Sequence, residues 1–457
     1  MVATGEAHVF WTEWALILTF WIPFLSLVWE FTMARRCARC CGGVGRRRPP
    51  KALTSPTDAS AVQAATGCGC GCSPPGSVYP LTPAQLEAAK LAAEQQQAVV
   101  DAANRAPREA KEREDPKWKR NGGRRMEELL PDTHLVDAQY LVFLADAGGI
   151  LPPCEEVPKC ALLDAKCAWR LRTWPGFSSL SALVLSWPWL DPEHPDKHAE
   201  TLQSLVPVLV AMIEAAQGTG CEHSTVGVYI EYSCMPGSNP SVASQRNRMR
   251  WFAHPCTHVL LLNAPFGQSG HAGQPGQRGG GSAHAYSDTR SFDRRGWNCV
   301  EERAACLVKY SHCLWEMARY VGGDTYEALY KALPASRKPL TSPPRLQELL
   351  VRGGPSGNIS FPEAEDVQVA SKFFEAAFIE AFETFHTSCP GRTNLFFRDA
   401  AWGAEEAALM AEALEHAARH CTLKRELTVN VSGGSGFAEA AGTRLHEAVA
   451  GTALRIK

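Results

Sequence analysis

Residues 183–185 read LVL, 226–230 read VGVYI and 258–262 read HVLLL. Each run is short, apolar and flanked by Pro, Gly, Ser or Asn, the pattern of buried strands rather than helices. Between the first two runs, Ala199–Gln217 places Leu202, Leu205, Val206, Leu209, Val210 and Ile213 at helical spacing. Between the second and third, Gln245–Ala253 is a shorter helical candidate. Strand, helix, strand, helix, strand implies right-handed crossovers and a parallel sheet with helices on both faces. Ligands of such sheets sit at the carboxyl ends of the strands.

Those ends carry the unusual residues. The first strand leads into Ser186-Trp187-Pro188-Trp189, then Asp191, Glu193, His194, Asp196 and His198. The second leads into Glu231-Tyr232-Ser233-Cys234-Met235-Pro236. After a Gly-rich gap come Tyr286 and Arg294-Arg295-Gly296-Trp297-Asn298-Cys299-Val300-Glu301-Glu302, opening a helix expected to run to about Tyr320. The acids and imidazoles of 191–198 read as a solvated, proline-set loop, and no metal site is expected there.

The set LSW…PEHPD, IEYSCMP and Y…RRGWNCVEE resembles a TIR-like family of α/β signalling domains, related to TIR and heterokaryon-incompatibility domains and expanded in algae and other protists. The resemblance spans roughly residues 140–320. Glu231 stands where these relatives carry Asp, and Asn298 where they carry Cys. In enzymatic members a helix Glu cleaves the nicotinamide–ribose bond of NAD, and the matching position is Glu301. The resemblance thus implies Glu301 as the catalytic carboxylate of a nucleosidase-type hydrolase. It implies Ser186, Trp187, Glu231, Arg295 and Trp297 as ligand-binding residues. NAD would be a substrate, and no bound cofactor is expected. Chemically, one carboxylate near the ribose suits an oxocarbenium-like transition state. Structurally, a Trp and a Glu early on a helix also serve as sheet packing and as a cap.

The 457 residues, 45% hydrophobic and 21% charged, fit a globular chain of several domains. A net charge of −2 gives no electrostatic footprint for nucleic acid, and no nucleic-acid partner is expected. The sequence holds no GxxxxGK[ST], no HExxH and no GxSxG. Its 17 Cys are scattered through the expected strands and helices, unlike a disulfide framework.

Trp14–Trp29 contains no charged residue, and with its flanks the apolar zone is about 25 residues, enough for the ~20 a membrane helix needs. Arg35, Arg36, Arg39, Arg46, Arg47, Arg48 and Lys51 follow it, so the body of the chain is expected in the cytosol. Cys37, Cys40 and Cys41 lie at that edge as lipidation candidates.

The expected layout is an anchor over 1–33, a basic juxtamembrane segment and linker over 34–81, and a charged helical stalk over 82–129. A TIR-like parallel-sheet domain follows over 130–321, with a disordered insertion at 267–285. Then come a connection and helix over 322–390 and a small αβ tail over 391–457. In the tail, runs at 395–397 and 427–431 precede two similar helical segments, a pattern resembling degenerate leucine-rich repeats. The leading expectation is a membrane-anchored signalling or scaffold protein, self-associating or binding protein partners through its TIR-like domain. The competing expectation is an NAD glycohydrolase.

Overall fold

The computed structural model describes residues 116–457, apart from 166, 175–178, 219–223, 237–241, 265–286, 289, 354–358, 391, 401 and 434–442. The span expected at 14–29, the three lipidation candidates, the linker, most of the stalk and the insertion at 267–285 lie outside the described residues. No described helix is long and apolar enough to cross a membrane. For those residues this corrects the expectation of a membrane helix. The 23-residue helix Asp366–Ser388 shows why: it buries Phe374, Phe378, Phe382 and Phe385 against the protein, while Lys372, Glu375, Glu380 and Glu383 interrupt its apolar length.

The chain is mixed α/β. Two short helices, α1 (Pro116–Arg120) and α2 (Gly123–Glu127), lead in and bury Trp118 and Met126. β1 (Leu135–Asp137) follows, then α3 (Ala138–Asp146), which Asp137 caps by accepting the Gln139 N–H. β2 (Leu162–Leu163) is an edge strand. β3 (Ala182–Ser186), α4 (Glu200–Gln217), β4 (Gly227–Tyr229), α5 (Glu231–Cys234), α6 (Val242–Ala253) and β5 (His258–Leu261) form the centre. α7 (Gly296–Ala305) and β6 (Leu314–Glu316) complete the sheet.

The sheet order is β2-β1-β4-β3-β5-β6. β4, β3, β5 and β6 are mutually parallel, while β1 runs antiparallel to both β4 and β2. In chain order the parallel strands stand second, first, third, fourth. This is a doubly wound order that places its switch point between β3 and β5. α3 and α4 pack together with α8 (Tyr326–Ala332), and α6 and α7 pack with α10 (Asp366–Ser388), which also carries α9 (Pro343–Val351). All five residues of β3 are buried, as expected of a strand covered on both faces.

The helix expected to reach Tyr320 ends at Ala305. The Cys306 N–H turns back onto the Glu302, Arg303 and Ala304 carbonyls, and Leu314–Glu316 instead pair with Val259–Leu261. An apolar β-prone run beside an open strand edge wins over helical continuation.

The tail forms a second, three-stranded parallel sheet, β7 (Asn394–Ala400), β8 (Leu427–Gly433) and β9 (Leu454–Ile456), with α11 (Ala404–His420) between the first two strands. Buried Arg337 joins this tail to the main sheet. It donates to the Phe396, Cys306 and Leu307 carbonyls, lies 3.8 Å over the Phe397 ring, and its carbonyl accepts the Trp402 indole N–H.

α4 begins on a non-glycine residue in the left-handed region, Ala199 at φ 56°. Asp196 compensates, its Oδ2 accepting the Leu202 N–H at 2.9 Å. Burial pushes this carboxyl up to about 6. Between the unfolded value near 4 and 6, the folded chain holds a proton that the unfolded chain has released. Stability therefore falls as pH rises through that window, by about 3 kcal/mol in all. Urea unfolding of Asp196→Asn, which keeps the acceptor but not the titration, is expected to lack this fall; an unchanged pH slope would refute the assignment.

Candidate functional site

The carboxyl ends of β3 and β4 gather the site. Ser186 is the last residue of β3, and Glu231 opens α5 directly after β4. α7 brings Trp297, Asn298 and Glu301 onto one face, since residues three and four apart are helical neighbours. α6 brings Arg248.

Arg248 is the centre. Its Nε and Nη2 donate to Glu301 Oε1 at 3.1 and 2.7 Å, and its Nη1 pairs with Glu231 Oε1 at 2.5 Å. Its guanidinium lies 4.3 Å over the Trp297 ring, a cation–π contact. The other oxygen of Glu301 accepts the Ser186 hydroxyl at 2.6 Å. Asn298 Nδ2 donates to Ser186 Oγ at 3.0 Å and reaches Glu301 Oε2 at 3.4 Å. Both oxygens of Glu301 are thus occupied, and the residue is 3% exposed.

Burial raises the Glu301 carboxyl above its ordinary range; Arg248 and Ser186 oppose that shift, and the Glu231 charge adds to it. Burial alone would lower Arg248, but the two carboxylates reverse this and hold it firmly protonated. The arrangement is two carboxylates sharing one guanidinium, with a hydroxyl and an amide completing the shell. Chemically, it offers a carboxylate poised for charge stabilisation beside an aromatic face.

Four of the six expected residues, Ser186, Glu231, Trp297 and Glu301, therefore share this network. Trp187 does not join it. The residue is 6% exposed, and its indole N–H is a buried donor without an acceptor among the described residues. Arg295 is also elsewhere. It is buried against Asp288 at 2.8 Å and donates to the Trp189, Asp288 and Arg290 carbonyls, so it ties loops together. The loop after β3 is internally bonded. His194 bridges the Leu151 carbonyl and the Asp196 N–H, and Asp191 holds Ser287 and Lys197.

Sequence reading missed Arg248 and Asn298. Arg246, Arg248 and Arg250 alternate along α6, and nothing in their spacing marks the one that turns inward. Glu231 carried the signal: an acid at the end of a buried strand calls for a cation within one crossover.

Comparison with known protein families, with curated proteins and with solved structures finds no match for this chain.

Breaking a buried pair by removing one partner costs about 3–5 kcal/mol, because a charge is left uncompensated. Arg248→Met is expected to destabilise by that amount in urea unfolding. The double variant Arg248→Met/Glu301→Leu is expected to lose less than the sum of the two single losses. Strict additivity would mean that the pair does not exist in solution.

Proposed function

We propose that the chain is a TIR-like α/β signalling domain acting as a protein-interaction module, with Glu301 serving as part of a structural lock rather than as a working carboxylate. The observation that carries this reading is the enclosure of Glu301: 3% exposed, with Arg248 on one oxygen and Ser186 and Asn298 on the other. A nucleosidase carboxylate must face an open cleft where a ribose can sit. A carboxylate that fixes two helices and a strand to one another has no such need. The TIR-like character rests on the three quoted motifs, and the doubly wound strand order is compatible with it.

The second reading, an NAD glycohydrolase, is favoured by the convergence of Ser186, Glu231, Trp297 and Glu301 at the carboxyl end of the sheet. There Trp297 would stack on a planar base, and Glu301 would face the ribose once Arg248 had moved.

One experiment separates the two. The full chain and its Glu301→Gln variant are incubated with NAD at high protein concentration, and nicotinamide is followed by chromatography. No release by either, from samples shown to be folded by circular dichroism, is the expected result. Release by the unaltered chain and at least a hundredfold less by the variant would overturn the interaction-module reading and establish the hydrolase.

A further inference from the structure

Cys256 and Cys389 meet in the core at the amino end of the parallel sheet, the end opposite Glu301. Cys256 lies between α6 and β5, and its carbonyl accepts the Leu180 N–H just before β3. Cys389 terminates α10, its N–H bonded to the Phe385 carbonyl. Both are fully buried thiols, with Sγ atoms 3.2 Å apart. A disulfide needs about 2.05 Å between sulfurs, so bond formation asks for a movement of about 1 Å. Cys389 stands outside the regular helix, at φ −132° and ψ 72°.

The surroundings favour thiolate chemistry. Lys309 is 1% exposed, and its ammonium donates to the His254 and Thr257 carbonyls and the Thr257 hydroxyl. The Arg392 guanidinium lies nearby, 4.3 Å over the Tyr310 ring. Burial would raise the Cys256 thiol, but the hydrogen bond with Cys389 and the charges of Arg392 and Lys309 bring it below its ordinary value. Burial, together with the neighbouring Cys256, holds Cys389 well above its own. The two thiols are thus unequal, one a nucleophile and one a proton-bearing partner. A cavity lies beside the pair without including either sulfur, lined by Arg125, Arg250, His254, Glu380 and the two residues that precede the cysteines, Pro255 and Ser388.

We propose that Cys256 and Cys389 form a redox-active dithiol, which a small peroxide converts to an intramolecular disulfide joining the segment before β5 to the end of α10. Cys256 sulfur attacks one peroxide oxygen. The S–O bond forms, the O–O bond breaks, and the leaving oxygen departs as water with the thiol proton. Cys389 sulfur then attacks the sulfenic sulfur. The S–S bond forms, the S–O bond breaks, and a second water leaves with the Cys389 proton. The protein loses two hydrogens, and hydrogen peroxide is reduced to two waters. The chemistry stands whether or not Glu301 cleaves anything.

The test uses the full chain, reduced and then exposed to hydrogen peroxide, denatured, alkylated and mapped by mass spectrometry. A bridged Cys256–Cys389 peptide that dithiothreitol dissolves is expected, present in Cys313→Ser and absent in Cys389→Ser. The oxidised chain is expected to unfold at higher urea than the reduced one, with no such shift in Cys389→Ser. Free, alkylated Cys256 and Cys389 after peroxide treatment of a chain folded by circular dichroism would overturn the proposal, as would a bridge from either to Cys313. Should Cys389→Ser fail to fold, mapping of the unaltered chain decides alone.

Discussion

One guanidinium between two carboxylates sets the geometry of the main sheet's carboxyl end. Arg248 comes from α6, Glu231 from the turn after β4 and Glu301 from α7, so three separate segments are tied at one point. Taking these charges out of water is costly, and their attraction repays it only when the remaining hydrogen-bonding capacity is filled. For Glu301 it is filled: Ser186 and Asn298 take its second oxygen, and the Trp297 face receives the guanidinium, while the Glu231 side chain stays partly exposed. The lock therefore confers position more than stability. It fixes the register of α6 and α7 against the end of β3, and a hydrophobic substitute would leave that register open.

The fold explains why these groups meet. In a doubly wound sheet the first and third strands send their connections to opposite sides, which opens a crevice at their carboxyl ends. Ser186 ends the first parallel strand, and α7 follows the third. α10 then spans about 34 Å at 1.5 Å per residue. It begins at Asp366, which accepts the Trp297 indole N–H, and finishes at Cys389 beside Cys256. One rigid element thus touches the Arg248 network at one end of the sheet and the thiol pair at the other. A bond formed at Cys389 anchors the helix against which both α6 and α7 pack.

Much of this was legible in the residues. The three apolar runs became β3, β4 and β5 within about a residue, because continuous burial leaves little choice of side chain. The α4 stripe of Leu202, Leu205, Leu209 and Ile213 was equally readable. Strand-end position and motif together selected Ser186, Glu231, Trp297 and Glu301. The failures share a cause: local sequence does not state which long-range partner wins. Arg295 is as basic as Arg248, yet its fork fits three loop carbonyls and Asp288. Residues 306–316 continue a helical composition, yet the free edge of β5 captured Leu314–Glu316. The membrane span expected at 14–29 lies outside the described residues, among which no helix is long and apolar enough to cross a membrane.

The lock also constrains any ligand at this end of the sheet. Glu301 cannot be uncovered by rotating one side chain, because its two oxygens answer to different elements, α6 on one side and β3 with α7 on the other. A ligand entering there must return in kind what it displaces: hydroxyl donors for Glu301, an anion for Arg248, and a planar face or cation for Trp297. Neutral apolar molecules offer none of these and would strand a buried charge, at a cost of several kcal/mol. A partner docking outside the network pays no such penalty. The same chemistry that would make this end of the sheet selective as a catalytic site makes it inert as a structural one, and the difference between the two lies in whether Arg248 has anywhere else to go.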